Sequence, residues 1–140
     1  MVYDKHSVPQ YKTVYYTSYY AYMTGSNVYV HCNQQPIKCI IYDNYVHFPF
    51  DKKHKKRSLS LDGVYFYFDE NCIFTDNLEE AQEKYINFIR DYITRYENEL
   101  NKLEYYAKTK NVISRKRHMR DAVSRMTMHL ELFELKIQKG

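Results

Sequence analysis

The sequence predicts an α+β protein: an antiparallel β-meander or small barrel over about residues 11–74, then a long antiparallel two-helix hairpin over about 77–107 and 112–138. Two observations predict this. Aromatic residues, which favour strands, are concentrated in the first half, because 12 of the 17 tyrosines lie within residues 1–75. In the second half, apolar residues recur every three or four positions, as on a helix.

The first half consists of short aromatic and β-branched runs separated by polar turn residues. We expect strands at residues 11–23, 28–32, 37–42, 45–50, 59–61, 64–68 and 72–74. Asp62-Gly63 separates two of these runs and predicts a tight β-hairpin, because both residues tolerate positive φ. No helical pattern separates the runs, so parallel βαβ units are excluded.

The second half predicts two helices of opposite charge. Asp76 is a suitable N-cap for the first helix, with Glu79 three residues further on. Residues 76–106 carry a net charge of −4 and residues 107–140 a net charge of +6, so the antiparallel helices attract each other. We expect residues 1–75 and 76–140 to form two subdomains packed as a single domain.

One apolar stripe runs along each helix and forms a predicted seam. On the second helix its spacings are 4, 3, 4, 3 and 4, which is a heptad pattern. Periodic helices of this length favour coiled-coil association, so we expect a homodimer that uses the seam. The seam residues singled out are Tyr92, Tyr96, Met119, Val123, Met126, Leu130, Phe133 and Ile137.

Two basic clusters are candidate contacts for nucleic acid or for an acidic partner. The first lies in a polar loop and comprises Lys52, Lys53, Lys55, Lys56 and Arg57. The second lies at the start of the second helix and comprises Arg115, Lys116, Arg117 and Arg120. Positive charge at a helix N-terminus opposes the helix dipole, so local helix stability does not explain the second cluster. Pairing with acids of the first helix explains part of it.

Tyrosines beside basic groups suit either base stacking or protein recognition. Tyr16, Tyr20 and Tyr22 belong to a run with aromatic residues on both faces of its strand. One face is expected to pack in the core, and the other is covered by the helices or available to a partner. We select these three residues as candidate aromatic contacts.

Several function classes find no support in the sequence. Gly25, Gly63 and Gly140 are the only glycines, so glycine-rich phosphate loops are excluded, and no esterase or zinc-protease motif occurs. The cysteines and histidines match no zinc-site spacing. We therefore expect no enzyme activity, cofactor or metal. The first residues show no secretory pattern and no segment is apolar enough to span a membrane, so we expect an intracellular protein with no membrane partner.

The leading hypothesis is a small non-enzymatic binding protein. It would engage nucleic acid, or a protein that handles nucleic acid, through its basic patches. The composition, rich in Lys, Asn, Ile and Tyr, resembles the output of an AT-rich genome. A compact chain with no catalytic motif resembles a phage or mobile-element accessory protein, which would occupy a surface of its partner as an inhibitor does. Two alternatives remain: a protein–protein interaction module dimerising through the helical seam, and a binder of a small nucleotide at a dimer interface.

Overall fold

A computed structural model describes residues 1–32, 35–50, 52, 58–63 and 72–140. It confirms the α+β class, with an antiparallel sheet followed by two helices. The strand predicted at 64–68, and with it the hairpin across Asp62-Gly63, lies outside the described residues. Neither of the two helices in the described chain is long and apolar enough to cross a membrane.

Eight strands precede the helices in the described chain. They are β1 (Val2–Tyr3), β2 (Thr13–Thr17), β3 (Tyr19–Thr24), β4 (Asn27–Cys32), β5 (Ile37–Tyr42), β6 (Tyr45–His47), β7 (Ser58–Ser60) and β8 (Ile73–Thr75). Six of them form a sheet in the order β1-β8-β2-β5-β6-β7, in which neighbours run antiparallel. Strands β3 and β4 form a separate two-stranded sheet, which we call the β3–β4 hairpin. The long aromatic run is therefore split at Ser18 between two sheets.

The turn between β5 and β6 shows how local sequence sets the register. Asp43 and Asn44 both have positive φ, at 52° and 63°, as a two-residue turn of the primed type requires. This turn pairs Tyr42 with Tyr45 and Ile41 with Val46. Alternate residues then point to opposite faces, so Cys39, Ile41 and Val46 are buried while Tyr42 and Tyr45 are exposed.

The described chain divides into two compact units. Unit 1 contains residues 1–19 and 32–85, and unit 2 contains residues 20–31 and 86–140. Unit 2 thus combines most of the β3–β4 hairpin with residues 86–140, and residues 76–85 cluster with unit 1. The core of unit 1 is formed by Val8, Val14, Tyr16, Cys39, Ile41, Val46, Phe48, Leu61, Cys72 and Phe74.

Two helices follow the strands, α1 (Leu78–Leu103) and α2 (Lys110–Lys139). The side chain of Asn77, rather than that of Asp76, caps α1, because its Oδ1 accepts a hydrogen bond from the backbone N–H of Glu80 at 2.8 Å. Asp76 instead accepts hydrogen bonds from Lys12 Nζ at 2.8 Å and from the Tyr3 hydroxyl at 3.0 Å. Thr109 caps α2 by accepting from the N–H of Val112.

The helices of unit 2 pair antiparallel, as the sequence predicts. Arg90 of α1 lies 3.3 Å from Glu134 near the end of α2, and Glu104, just after α1, lies 3.1 Å from Lys116 near the start of α2. Tyr92, Tyr96, Met119, Met126, Leu130 and Phe133 are buried, and Val123 and Ile137 are half-buried. The predicted seam is thus occupied by packing within one chain.

Candidate functional site

The first basic cluster is described only in part. Lys52 lies in an exposed turn. Lys53, Lys55, Lys56 and Arg57 lie outside the described residues. The candidate site is therefore built from the second basic cluster and its surroundings, all of which belong to unit 2.

Two members of the second cluster are engaged within the chain. Lys116 is only 8% exposed, and its Nζ lies 3.1 Å from the Glu104 carboxylate. Arg120 is exposed, and its guanidinium lies 3.5 Å from the same carboxylate. Glu104 accordingly compensates part of the charge of both residues, and Lys116 is better placed to hold the helical hairpin together than to contact a ligand.

Arg115 and Arg117 have a different environment. Both are exposed, and neither forms an ion pair with any residue that the structure describes. Lys108 and Lys110 nearby are also exposed and likewise lack an ion pair within the described part of the chain. The first turn of α2 contains no acidic residue, so nothing there offsets the unfavourable interaction of these cations with the helix dipole.

Two tyrosines that were not among the predicted contacts lie in the loop that closely precedes these cations in the chain. Tyr105 is 91% exposed and Tyr106 is 62% exposed, in the loop between α1 and α2. The sequence predicted helix up to residue 107, but α1 ends at Leu103, which leaves both tyrosines in the loop. The available signal was the Tyr-Tyr pair followed closely by two lysines. We call Tyr105, Tyr106, Lys108, Lys110, Arg115 and Arg117 the hairpin end.

The three tyrosines selected from the sequence separate into two groups. Tyr16 is only 1% exposed and packs against Phe48 and Phe74 in the core of unit 1, so its selection as a surface contact is corrected. Tyr20 and Tyr22 belong to unit 2. The Tyr22 ring stacks on Tyr20, with centroids 6.3 Å apart, and on Tyr29, with centroids 5.4 Å apart. Tyr22 and Tyr29 are both exposed.

An open groove of about 700 Å³ lies in unit 2 between β4 and α2. Its lining residues are Asn27, Val28, Tyr29, His118, Asp121, Ser124, Arg125 and Met128. His118 Nδ1 donates a hydrogen bond to the Ser114 carbonyl at 2.8 Å, which orients its ring. Arg125 and Asp121 bring opposite charges to the same groove, so a bound phosphate would meet a carboxylate. The groove therefore gives little support to the nucleotide-binding alternative.

The Cys39 thiol lies in the core of unit 1. Burial raises the pKa of the Cys39 thiol to about 12, which keeps it protonated and a poor nucleophile. Within residues 1–32, 35–50, 52, 58–63 and 72–140, no three His, Cys, Asp or Glu side chains are grouped to hold a metal ion.

No family model matches the chain, and no curated protein or solved structure matches it either.

Proposed function

We propose that this chain is a non-enzymatic protein that binds single-stranded nucleic acid through the hairpin end. The observation that carries the proposal is the presence of four exposed cations that form no ion pair within the described part of the chain and that follow closely, in the sequence, two highly exposed tyrosines. Lysine and arginine contact phosphates, and aromatic rings stack on unpaired bases, so the two residue types together match a single-strand platform.

The charge balance around the hairpin end supports an anionic partner. Between Lys102 and Arg120 the chain has seven basic residues and one acidic residue, Glu104. Lys102 pairs with Glu99, and Lys116 and Arg120 share Glu104. If the four other cations each contact a phosphate, the slope of log affinity against log salt is about −3. Raising the salt from about 50 mM to about 200 mM then lowers the affinity about 50-fold.

The exposed tyrosines favour a single strand over a duplex as the ligand. The bases of a duplex are stacked within the helix, whereas those of a single strand are free to stack on protein rings. A tyrosine that is 91% exposed has lost little water contact and is available for such stacking. The ladder of Tyr20, Tyr22 and Tyr29 belongs to the same unit and offers a further aromatic surface.

The test is fluorescence anisotropy with labelled DNA and RNA strands across a salt series. Arg115→Ala/Arg117→Ala is expected to reduce the salt slope by about half, because two of four phosphate contacts are lost. Lys84→Ala/Lys136→Ala removes two positive charges at positions distant in the sequence from the hairpin end and is expected to leave the slope unchanged. If the folded protein binds none of the DNA or RNA strands at about 50 mM salt, the proposal is wrong.

A second pair of variants tests the tyrosines. Tyr105→Ala/Tyr106→Ala is expected to weaken binding by about 1–3 kcal/mol for each base that loses its stacking partner, with the salt slope retained. Tyr105→Phe/Tyr106→Phe keeps both rings and is expected to bind as the wild type does. Equal loss in both variants would mean that the hydroxyl groups, and not the rings, make the contact.

The alternative partner is a protein with an acidic surface, such as a protein that handles nucleic acid and is inhibited when that surface is covered. The same exposed cations would serve it. In that case poly-glutamate, used as a probe, binds with the same dependence on Arg115 and Arg117, while oligonucleotides do not bind.

A further inference from the structure

Helix α2 carries two heptad stripes. The inner stripe is the seam, whose residues are buried or half-buried, namely Met119, Val123, Met126, Leu130, Phe133 and Ile137. The outer stripe lies two positions further along the chain, with the same spacings of 4, 3, 4, 3 and 4. It consists of Asp121, Arg125, Met128, Leu132, Leu135 and Lys139, all of which are exposed.

The centre of the outer stripe is apolar. Met128 is 62% exposed, Leu132 60% and Leu135 49%. Positions three and four apart lie on the same side of a helix, so these three side chains form one continuous strip. Scattered apolar side chains on a surface need no explanation, but three in heptad register on the side of a helix opposite its seam are typical of a helix-pairing surface.

The charges at the ends of the stripe specify what covers it. Asp121 lies at one end and Lys139 at the other. In an antiparallel pair of identical helices centred between Met128 and Leu132, each Met128 faces the Leu132 of the other copy. Each Asp121 then faces a Lys139, so both ends of the interface pair opposite charges. A parallel pair would instead place Asp121 against Asp121 and Lys139 against Lys139.

We propose that a second copy of this chain docks antiparallel on the outer stripe of α2 and forms a two-fold symmetric dimer. Such an interface is isologous, because the same surface serves both copies. This replaces the inner seam, which is already buried within one chain, as the dimer surface. The stripe from Asp121 to Lys139 is about 27 Å long at 1.5 Å per residue. It buries less than a standard interface, so we expect a weak dimer with a Kd on the order of 10 µM.

Sedimentation equilibrium from about 1 to 200 µM tests the inference, since this range brackets the expected Kd. The wild type is expected to shift from monomer to dimer, and Leu132→Glu is expected to remain monomeric throughout. Ile113→Glu introduces the same charge at an exposed apolar position of α2 outside the stripe and is expected to dimerise normally. Circular dichroism confirms that each variant is folded. A wild type that stays monomeric, or a Leu132→Glu variant that still dimerises, overturns the proposal.

Charge reversal tests the antiparallel arrangement. Asp121→Lys alone and Lys139→Glu alone are each expected to weaken the dimer several-fold, and the double variant is expected to restore it. If the double variant is as weak as the singles, the two charges do not face each other and the antiparallel register is wrong. The inference does not depend on nucleic-acid binding, so either proposal can fail while the other stands.

Discussion

Glu104 determines which cations of the second basic cluster remain for a ligand. Its carboxylate lies 3.1 Å from Lys116 and 3.5 Å from Arg120, so these two residues are partly compensated within the chain. Arg115 and Arg117 flank Lys116 in the sequence, and neither has an acidic partner among the described residues. The sequence indicates that acids of the first helix pair with part of this cluster, but which cations they pair with depends on which residues share a level of the helical hairpin and not on composition.

Asp76 gives a prediction at the same scale. A hydrogen bond from Lys12, followed by one from Tyr3, holds the pKa of this carboxyl below its ordinary value of 3.8. Its folded-state pKa is lowered, so its stabilising contribution is fully present above pH 3.8 and is lost as the pH falls through the folded-state pKa.

The variant Asp76→Asn keeps the shape and removes the charge. We expect it to lower the urea midpoint at neutral pH, and we expect its difference from the wild type to shrink at an acidic pH well below 3.8, as the native carboxyl becomes protonated. Urea titrations of both proteins at the two pH values measure this. A difference between the two proteins that persists unchanged at the lower pH would show that the charge is not the cause.

At the scale of elements, the sequence predicts the ends of individual strands and helices better than it predicts which distant elements pack together. The bounds of β5 match the prediction, because Asp43-Asn44 encodes the turn that follows it. The sequence predicts that the first helix extends to residue 107, because nothing in Glu104-Tyr105-Tyr106 signals a stop. The helix in fact ends at Leu103. The association of β3 and β4 with the helices had no local signature, because it depends on contacts between residues distant in sequence.

The cap of α1 gives a prediction at this scale. Two adjacent residues, Asp76 and Asn77, are both good N-caps, and the contact of Asp76 with Lys12 leaves the capping role to Asn77. Asn77→Ala is expected to lower the free energy of unfolding by about 1 kcal/mol. Asn98→Ala, at an exposed position inside α1, is the control and is expected to be neutral or slightly stabilising, because alanine favours helix. Urea unfolding measures both, and equal effects would contradict the cap.

At the scale of the whole molecule, the tyrosine content serves several purposes. Tyr16 and Tyr85 are fully buried and act as core residues of unit 1, while Tyr92 and Tyr96 fill the seam of unit 2. Among the exposed tyrosines, Tyr11, Tyr42 and Tyr45 belong to unit 1, and Tyr22, Tyr29, Tyr105 and Tyr106 belong to unit 2. The candidate stacking surface and the second basic cluster therefore belong to the same compact unit, although the sequence places the first of these tyrosines and the cluster more than ninety residues apart.

A dimer formed through the outer stripe of α2 carries two hairpin ends. In an antiparallel dimer centred at residue 130, the two Arg117 residues lie about 40 Å apart along the helix axes, at 1.5 Å per residue. The dimer is then bivalent: a strand long enough to bridge that span engages both ends, and the second contact benefits from a high effective concentration. Affinity is expected to rise steeply once an oligonucleotide exceeds this length. Leu132→Glu is expected to abolish the rise while binding short strands as the wild type does, and a smooth increase with length in both proteins would show that the two ends act independently.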